Sequence, residues 1–167
     1  MSMPVAWEQF GIERVDERTW RRTIQGRTIE FRELQTVEEL GIAERLQRDV
    51  MTLSDDDTVR AAFLAFVPDT GGFTLGAYEG DTELSVAFGY AGFHAPEPFL
   101  HSDFLAVVPE ARSLGIGFEM KRLQALLARE RGYRSVQWTV DPLRAANARL
   151  NFERLGALGI KYTRNKY

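Results

Sequence analysis

The stretch Val107-Val108-Pro109-Glu110-Ala111-Arg112-Ser113-Leu114-Gly115-Ile116-Gly117-Phe118 runs from an apolar strand through one proline into a turn with two glycines, and a helical pattern follows. A turn of this kind sets free backbone N–H groups and the positive end of a helix dipole around a gap cleared of side chains. That is the chemistry of anion binding. Arg112 adds a full positive charge at the entrance. Two phosphate cradles are excluded by residue type. A dinucleotide fingerprint needs a third glycine at position 120, where Met120 stands, and a P-loop needs Lys-Ser/Thr after Gly117, where Phe118-Glu119 stand.

Other chemistries drop out quickly. The chain has no cysteine, which removes disulfides, thiolate metal sites and a cysteine nucleophile. Asp55, Asp56 and Asp57 lack partner ligands at a useful spacing and precede a helix, so capping explains them better than metal binding, and no metal is expected. A net charge of -3 argues against a nucleic-acid surface. No apolar run of about 18 residues is present, so no membrane span is expected. With 167 residues and a hydrophobic fraction of 44%, the expectation is one soluble, cytoplasmic domain with a real core.

The elements that must position the turn are legible in part. Residues 1–27 carry mixed charge and no clean period and read as an N-terminal extension, with Trp7, Phe10 and Trp20 as anchors. Thr28-Ile29-Glu30-Phe31-Arg32 alternates as a strand. Thr36 and Glu39 form a capping box ahead of the stripe Leu40, Ala43, Leu46 and Val50. Ser54 to Asp57 reads as a second cap, before a helix that Pro68 and Gly71-Gly72 stop. Residues 73–93 form a hairpin around Glu79-Gly80-Asp81-Thr82. Then come a strand to Pro109, a helix over 117–131 with Met120, Leu123 and Leu127 on one face, and a strand over 135–140. Asp141-Pro142 closes that strand and Asp141 is expected to cap the next helix, from about Arg144 to Leu155, which ends at Gly156. Residues 157–167 read as one last strand.

Val107 to Gly117 resembles the acyl-CoA pyrophosphate loop of the GNAT N-acyltransferase superfamily, Arg/Gln-x-x-Gly-x-Gly/Ala after a strand. Asn147-Ala148-Arg149-Leu150-Asn151-Phe152-Glu153-Arg154-Leu155-Gly156-Ala157 is similar to its second cofactor motif, an aromatic residue followed by Glu-x-Leu-Gly and an apolar residue. The resemblance spans roughly residues 28–163. It implies an α/β (α+β) fold with a mixed, mostly antiparallel central sheet, helices on both faces, and the glycine turn between strand 4 and helix 3. Residues 28–167 are then the acyl-CoA-binding domain. The implied cosubstrate is acetyl-CoA or another acyl-CoA. Its implied contacts are Leu105, Ala106, Val107, Arg112, Ser113, Leu114, Gly115, Ile116, Gly117 and Phe118, joined by Asn147, Asn151 and Phe152 from the second motif.

The implied reaction is acyl transfer from a thioester to an amine. It needs a base for the amine proton and a hydrogen-bond donor for the carbonyl oxygen. The resemblance places the donor on a backbone N–H near Phe104 to Ala106. It places the base eleven residues before Arg112, at His101, and period-two alternation sets Asp103 on the same face to orient the imidazole unless a bulge intervenes. Phe152 stands where the superfamily carries a tyrosine that protonates the leaving thiolate. Either the thiolate leaves unassisted, or Tyr162 substitutes, or the protein binds acyl-CoA without much turnover. Asn147 and Asn151 lie one helical turn apart and suit either a cofactor contact or a plain helix surface.

A closer pattern, Thr139-Val140-Asp141-Pro142 with Asn147 and Asn151-Phe152, resembles a GNAT subfamily in which some members imply N-succinylation of amino acids as an alternative. Only eleven residues follow Gly156, enough for one of the two closing strands of the superfamily. A missing strand leaves an edge that another chain can pair, so a homodimer is expected. Two functions of different class remain: an acetyltransferase acting on a small-molecule amine or amino acid, and a non-catalytic acyl-CoA-binding module.

Overall fold

The computed structural model describes residues 5–141 and 143–164, and seven strands among them form one sheet in chain order. The strands are β1 (Glu13–Arg14), β2 (Thr19–Ile24), β3 (Arg27–Leu34), β4 (Phe73–Glu79), β5 (Thr82–His94), β6 (Glu97–Val107) and β7 (Ser135–Gln137). Neighbours are antiparallel throughout except β6 and β7, which run parallel. The helices are α1 (Val37–Met51), α2 (Ala61–Leu64), α3 (Ile116–Glu130) and α4 (Ala145–Ala148), the last continuing as a π-helical stretch over Arg149–Arg154. This is the mixed, mostly antiparallel sheet expected, with the glycine turn between β6 and α3.

Side chains alternate across a strand, so each face of the sheet carries its own core. Ile29, Phe31, Leu75 and Ala87 pack on one face with Ile116, Met120, Leu123 and Leu127 of α3. Leu34, Val86, Phe88 and Ala106 pack on the other with Leu40, Ala43, Leu46 and Leu64 of α1 and α2. The helix stripes read from the sequence are therefore the buried faces. The capping box of α1 is formed: Thr36 Oγ1 accepts from the Glu39 N–H, and Glu39 accepts from the N–H of Thr36. Burial raises the Glu39 pKa, but the N–H groups of Thr36 and Gln35, with Arg18, favour the charged carboxylate and hold it at about 2.

Five expectations are corrected. Residues 13–24, inside the segment expected to be an extension, form two strands, and β2 pairs with β3 along its whole length. Trp7 and Trp20 lie within the α3-side core, 3% and 0% exposed, with ring centroids 5.5 Å apart. The alternation of β2 was hidden because Trp20 is its one fully buried side chain, while Arg21 pairs outward with Glu13 and Glu30. Ser54 to Asp57 does not cap α2. Ser54 and Asp57 bond each other in a separate turn, and Glu44 accepts from the Ala61 N–H instead.

The strand expected over 135–140 stops at Gln137, because the chain then leaves β6. Residues 157–164 form no strand, and Leu158 and Ile160 are 84% and 78% exposed. Among the described residues no strand lies beyond β7 to pair with them, and an unpaired strand leaves its backbone groups without partners. Residues 165–167 of that expected strand and Pro142 lie outside the described residues. Asp141 Oδ1 accepts from the Leu143 N–H, a turn just ahead of α4, and α4 itself has no side-chain cap.

Candidate functional site

The parallel pair at the sheet edge is short. β6 and β7 align only at Phe99↔Ser135, Leu100↔Val136 and His101↔Gln137. Beyond His101, β6 continues to Val107 while the chain after Gln137 leaves the sheet. Ser102 to Val107 thus have β5 on one side and no described strand on the other. The two strands form a fork, with backbone polar groups open along one edge. Leu105 and Val107 line that edge, whereas Ala106 is turned from it: its side chain is buried on the α1–α2 face and its carbonyl accepts from Ser85 Oγ of β5.

The glycine turn sits past the open end of β6. Residues Pro109–Leu114 make a 3₁₀ turn, Gly115 takes φ +82°, and α3 starts at Ile116. A left-handed φ at that point favours glycine. The first bonds of α3 run from the Phe118 and Glu119 N–H groups to the Gly115 carbonyl, at 3.1 and 3.3 Å. The amides of Ile116 and Gly117 precede this ladder and need an outside acceptor. Gly117 serves a different purpose from Gly115. A Cβ there would meet Val107 Cγ2 at 3.5 Å and Leu105 Cδ2 at 3.8 Å, so a side chain fits, but it would occupy the space in front of the helix end.

Two cations flank the turn. Arg112 is exposed, and its Nε donates to the Val107 carbonyl at 3.3 Å. Arg154, which the motif reading did not single out, stacks its guanidinium over Phe118 at 4.7 Å and brings Nη2 to 3.7 Å from the position of a Gly115 Cβ. Neither arginine has a carboxylate at ion-pair distance among the described residues. The Ile116 side chain is buried and Leu114 packs on the core, so both offer backbone only, while the Ser113 carbonyl accepts from Gln25.

The fork has two chemically different sides. On the α1–α2 side, His101 Nε2 lies 3.7 Å from Asp103 Oδ1. The bulge that could have separated them is present: Phe88 pairs with Phe104 and Gly89 with Ser102, leaving Asp103 as the extra residue. The side chains still meet, because the bulge falls after Ser102 and Asp103, two residues from His101, stays on its face. Tyr90 is the cross-strand partner of His101. Burial, with the Asp103 charge adding to it, pushes the Tyr90 phenol up to about 12.

On the α3 side, Lys121 Nζ donates to Ser102 Oγ at 2.6 Å and lies 4.5 Å over the Trp138 ring. Ser102 donates in turn to Gln124 Oε1 at 2.9 Å, and Trp138 Nε1 donates to Asn151 Oδ1 at 3.1 Å. Burial pulls the Lys121 ammonium down to about 8. Asn151 is buried in this contact, whereas Asn147, one turn earlier, is exposed. Phe152 is 43% exposed, and Tyr162, 79% exposed, shares no hydrogen bond or ring contact with the fork among the described residues.

The model of the acetyltransferase (GNAT) family matches residues 31–157. The chain belongs to that family. Its general chemistry is acyl transfer. The fold of this GNAT chain is also that of solved structures at low identity. A possible acetyltransferase from Clostridium difficile 630 superposes with TM-score 0.63 at 15% identity, covering 83% of this chain and 96% of that one. An aminoglycoside acetyltransferase from an uncultured soil metagenomic sample, solved with sisomicin, gives 0.61 at 16%, covering 82% and 97%. A transcriptional regulator from Bacillus halodurans C-125 gives 0.66 at 16%, covering 83% and 99%. Comparison with curated proteins gives no match.

Proposed function

We propose that this GNAT chain is an N-acyltransferase that moves a short acyl group, acetyl first, from acyl-CoA to the amine of a small molecule or amino acid by direct attack. The observation that carries this is the fork of β6 and β7 leading to the glycine turn. The Ile116 and Gly117 amides, Arg112 and Arg154 suit a pyrophosphate, and the open edge of β6 suits an extended amide-bearing arm. Acyl-CoA supplies a thioester carbonyl and a thiol leaving group. A backbone N–H of Phe104 to Ala106 is the donor proposed for the carbonyl oxygen. His101, oriented by Asp103, is the proposed base for the amine proton, on the side of the sheet away from α3.

Screening amines against acetyl-CoA and succinyl-CoA for free-thiol release tests this directly. Gly117→Glu is expected to abolish CoA binding in a folded protein, because it sets a carboxylate before the helix end. Unchanged CoA affinity in that variant refutes the site. The exposed hydrocarbon of Phe152, in the second motif, favours a second reading, a non-catalytic acyl-CoA-binding module; tight CoA binding with no thiol release for any amine supports it. A cytoplasmic location and a homodimer belong to the same proposal. β7 is paired on one side only, which supports association of two copies through that edge.

A further inference from the structure

The Lys121 cluster is unusual in its chemistry. Lys121 is 9% exposed, and no carboxylate lies within ion-pair distance of it among the described residues. The charged groups of neighbouring elements are engaged elsewhere. Glu119 on α3 pairs with Arg22 and Arg122, His101 and Asp103 on β6 pair with each other, and Arg154 stacks on Phe118. What faces Lys121 is a hydroxyl and an aromatic ring. Burying a cation without a counter-charge is costly, so the arrangement suits a negative charge that arrives from outside. Gln124 repeats the signal: it is 0% exposed and its Nε2 finds no acceptor among the described residues.

The position of the cluster says where such a charge would form. Ser102 is the first β6 residue past the last paired position, and Trp138 is the first residue after β7. Lys121 therefore stands at the apex of the fork, on the α3 side, one turn along the helix whose start is the glycine turn. An arm laid along the open edge of β6 from that turn ends at Ser102. Resting on the acyl-CoA reading above, we infer that Lys121 is the proton donor to the thiolate that leaves when the acyl group is transferred.

The step balances. The amine nitrogen of the acceptor bonds the carbonyl carbon, the C–S bond breaks with its electron pair staying on sulfur, and a Lys121 Nζ proton passes to that sulfur. Free thiol and a neutral lysine result. The acceptor's own proton goes to His101 on the opposite side; His101 then releases it to solvent, and solvent returns a proton to Lys121. A donor near 8 is mostly protonated at neutral pH yet able to release its proton to a thiol with a reference value of ~8.5, and a general acid works best with a pKa near the working pH. It also removes the need for a phenol at Phe152 or for Tyr162.

The test uses the complex with CoA, whose thiol ionisation is followed by the ultraviolet absorbance of the thiolate. A facing ammonium favours the thiolate, so the bound thiol should ionise about 1 pH unit or more lower in the wild type than in Lys121→Gln. Lys121→Met is the second neutral variant, in case the first does not fold. Lys121→Arg should keep the thiol ionising at that lower pH but, holding its proton, turn over ~10²-fold more slowly, as should Lys121→Gln. The wild-type kcat should fall above about pH 8 and the fall should vanish in the neutral variants. Equal thiol ionisation in wild type and neutral variants overturns the inference, as does wild-type turnover by Lys121→Arg. Failure of the wild type to bind CoA at all overturns the acyl-CoA reading itself, and this inference with it.

Discussion

Replacing Lys121 by methionine should make the protein more stable at neutral pH, and the gain should disappear in base. Burial lowers the Lys121 pKa from an ordinary 10.5 to about 8. Each pKa unit corresponds to ~1.4 kcal/mol, so keeping this lysine charged in the folded state costs about 3 kcal/mol below pH 8. Between pH 8 and 10.5 the unfolded chain holds a proton that the folded chain has released, so wild-type stability rises with pH in that window. Methionine has a similar volume and no charge. It removes the cost but also the hydrogen bond to Ser102, worth about 2 kcal/mol from the ammonium and about 1 kcal/mol from the neutral amine. The variant should thus be about 1 kcal/mol more stable at pH 7 and about 1 kcal/mol less stable near pH 10.5. Urea unfolding followed by tryptophan fluorescence at pH 7, 8, 9 and 10 measures the difference. Tyr78 and Tyr90, both raised to about 12, lower stability as pH climbs past 10, but they act equally in both proteins and cancel. A difference that stays constant from pH 7 to 10, or a variant already less stable at pH 7, refutes the reasoning.

His101→Ala should lower kcat/KM by ~10²-fold or more while leaving acyl-CoA affinity nearly unchanged, since the imidazole lies on the opposite side of the sheet from the Lys121 cluster. A folded variant with near-full turnover returns His101 to a structural role. If two copies associate through the open edge of β7, the solution mass should be that of a dimer, and Val136→Pro, which strips an edge donor, should shift it toward one chain. A single-chain mass for the wild type refutes the association.

Where the physics is local, the sequence alone determined the outcome. A capping box needs only Thr36 and Glu39, a hairpin needs only a permissive glycine at Gly80, and the buried face of α3 follows from residues three and four apart. The glycine turn was legible for the same reason. The φ of Gly115 and the free amides of Ile116 and Gly117 are properties of a strand running into a helix. Elements that depend on a partner were read less well. β2 shows one buried residue, Trp20, because its other positions are wetted or arginine-paired, and β7 stops at Gln137 because the chain turns away from β6. The apolar residues Leu158 and Ile160 suggested a strand that has no described neighbour to join.

Tertiary structure alone decided the chemistry of the fork. Asp103 kept its place beside His101 through a bulge that no spacing rule reports. Arg154 reached the glycine turn from another helical segment. Ser102, Lys121, Gln124 and Trp138 come from a strand, a helix and the chain past a strand, and none is unusual by its neighbours in sequence. Lys121 in particular sits in a helix where a lysine reads as solvated surface. Its low pKa arises only from the desolvation imposed by Trp138 and β6, and burial is a property of the packed molecule rather than of the chain.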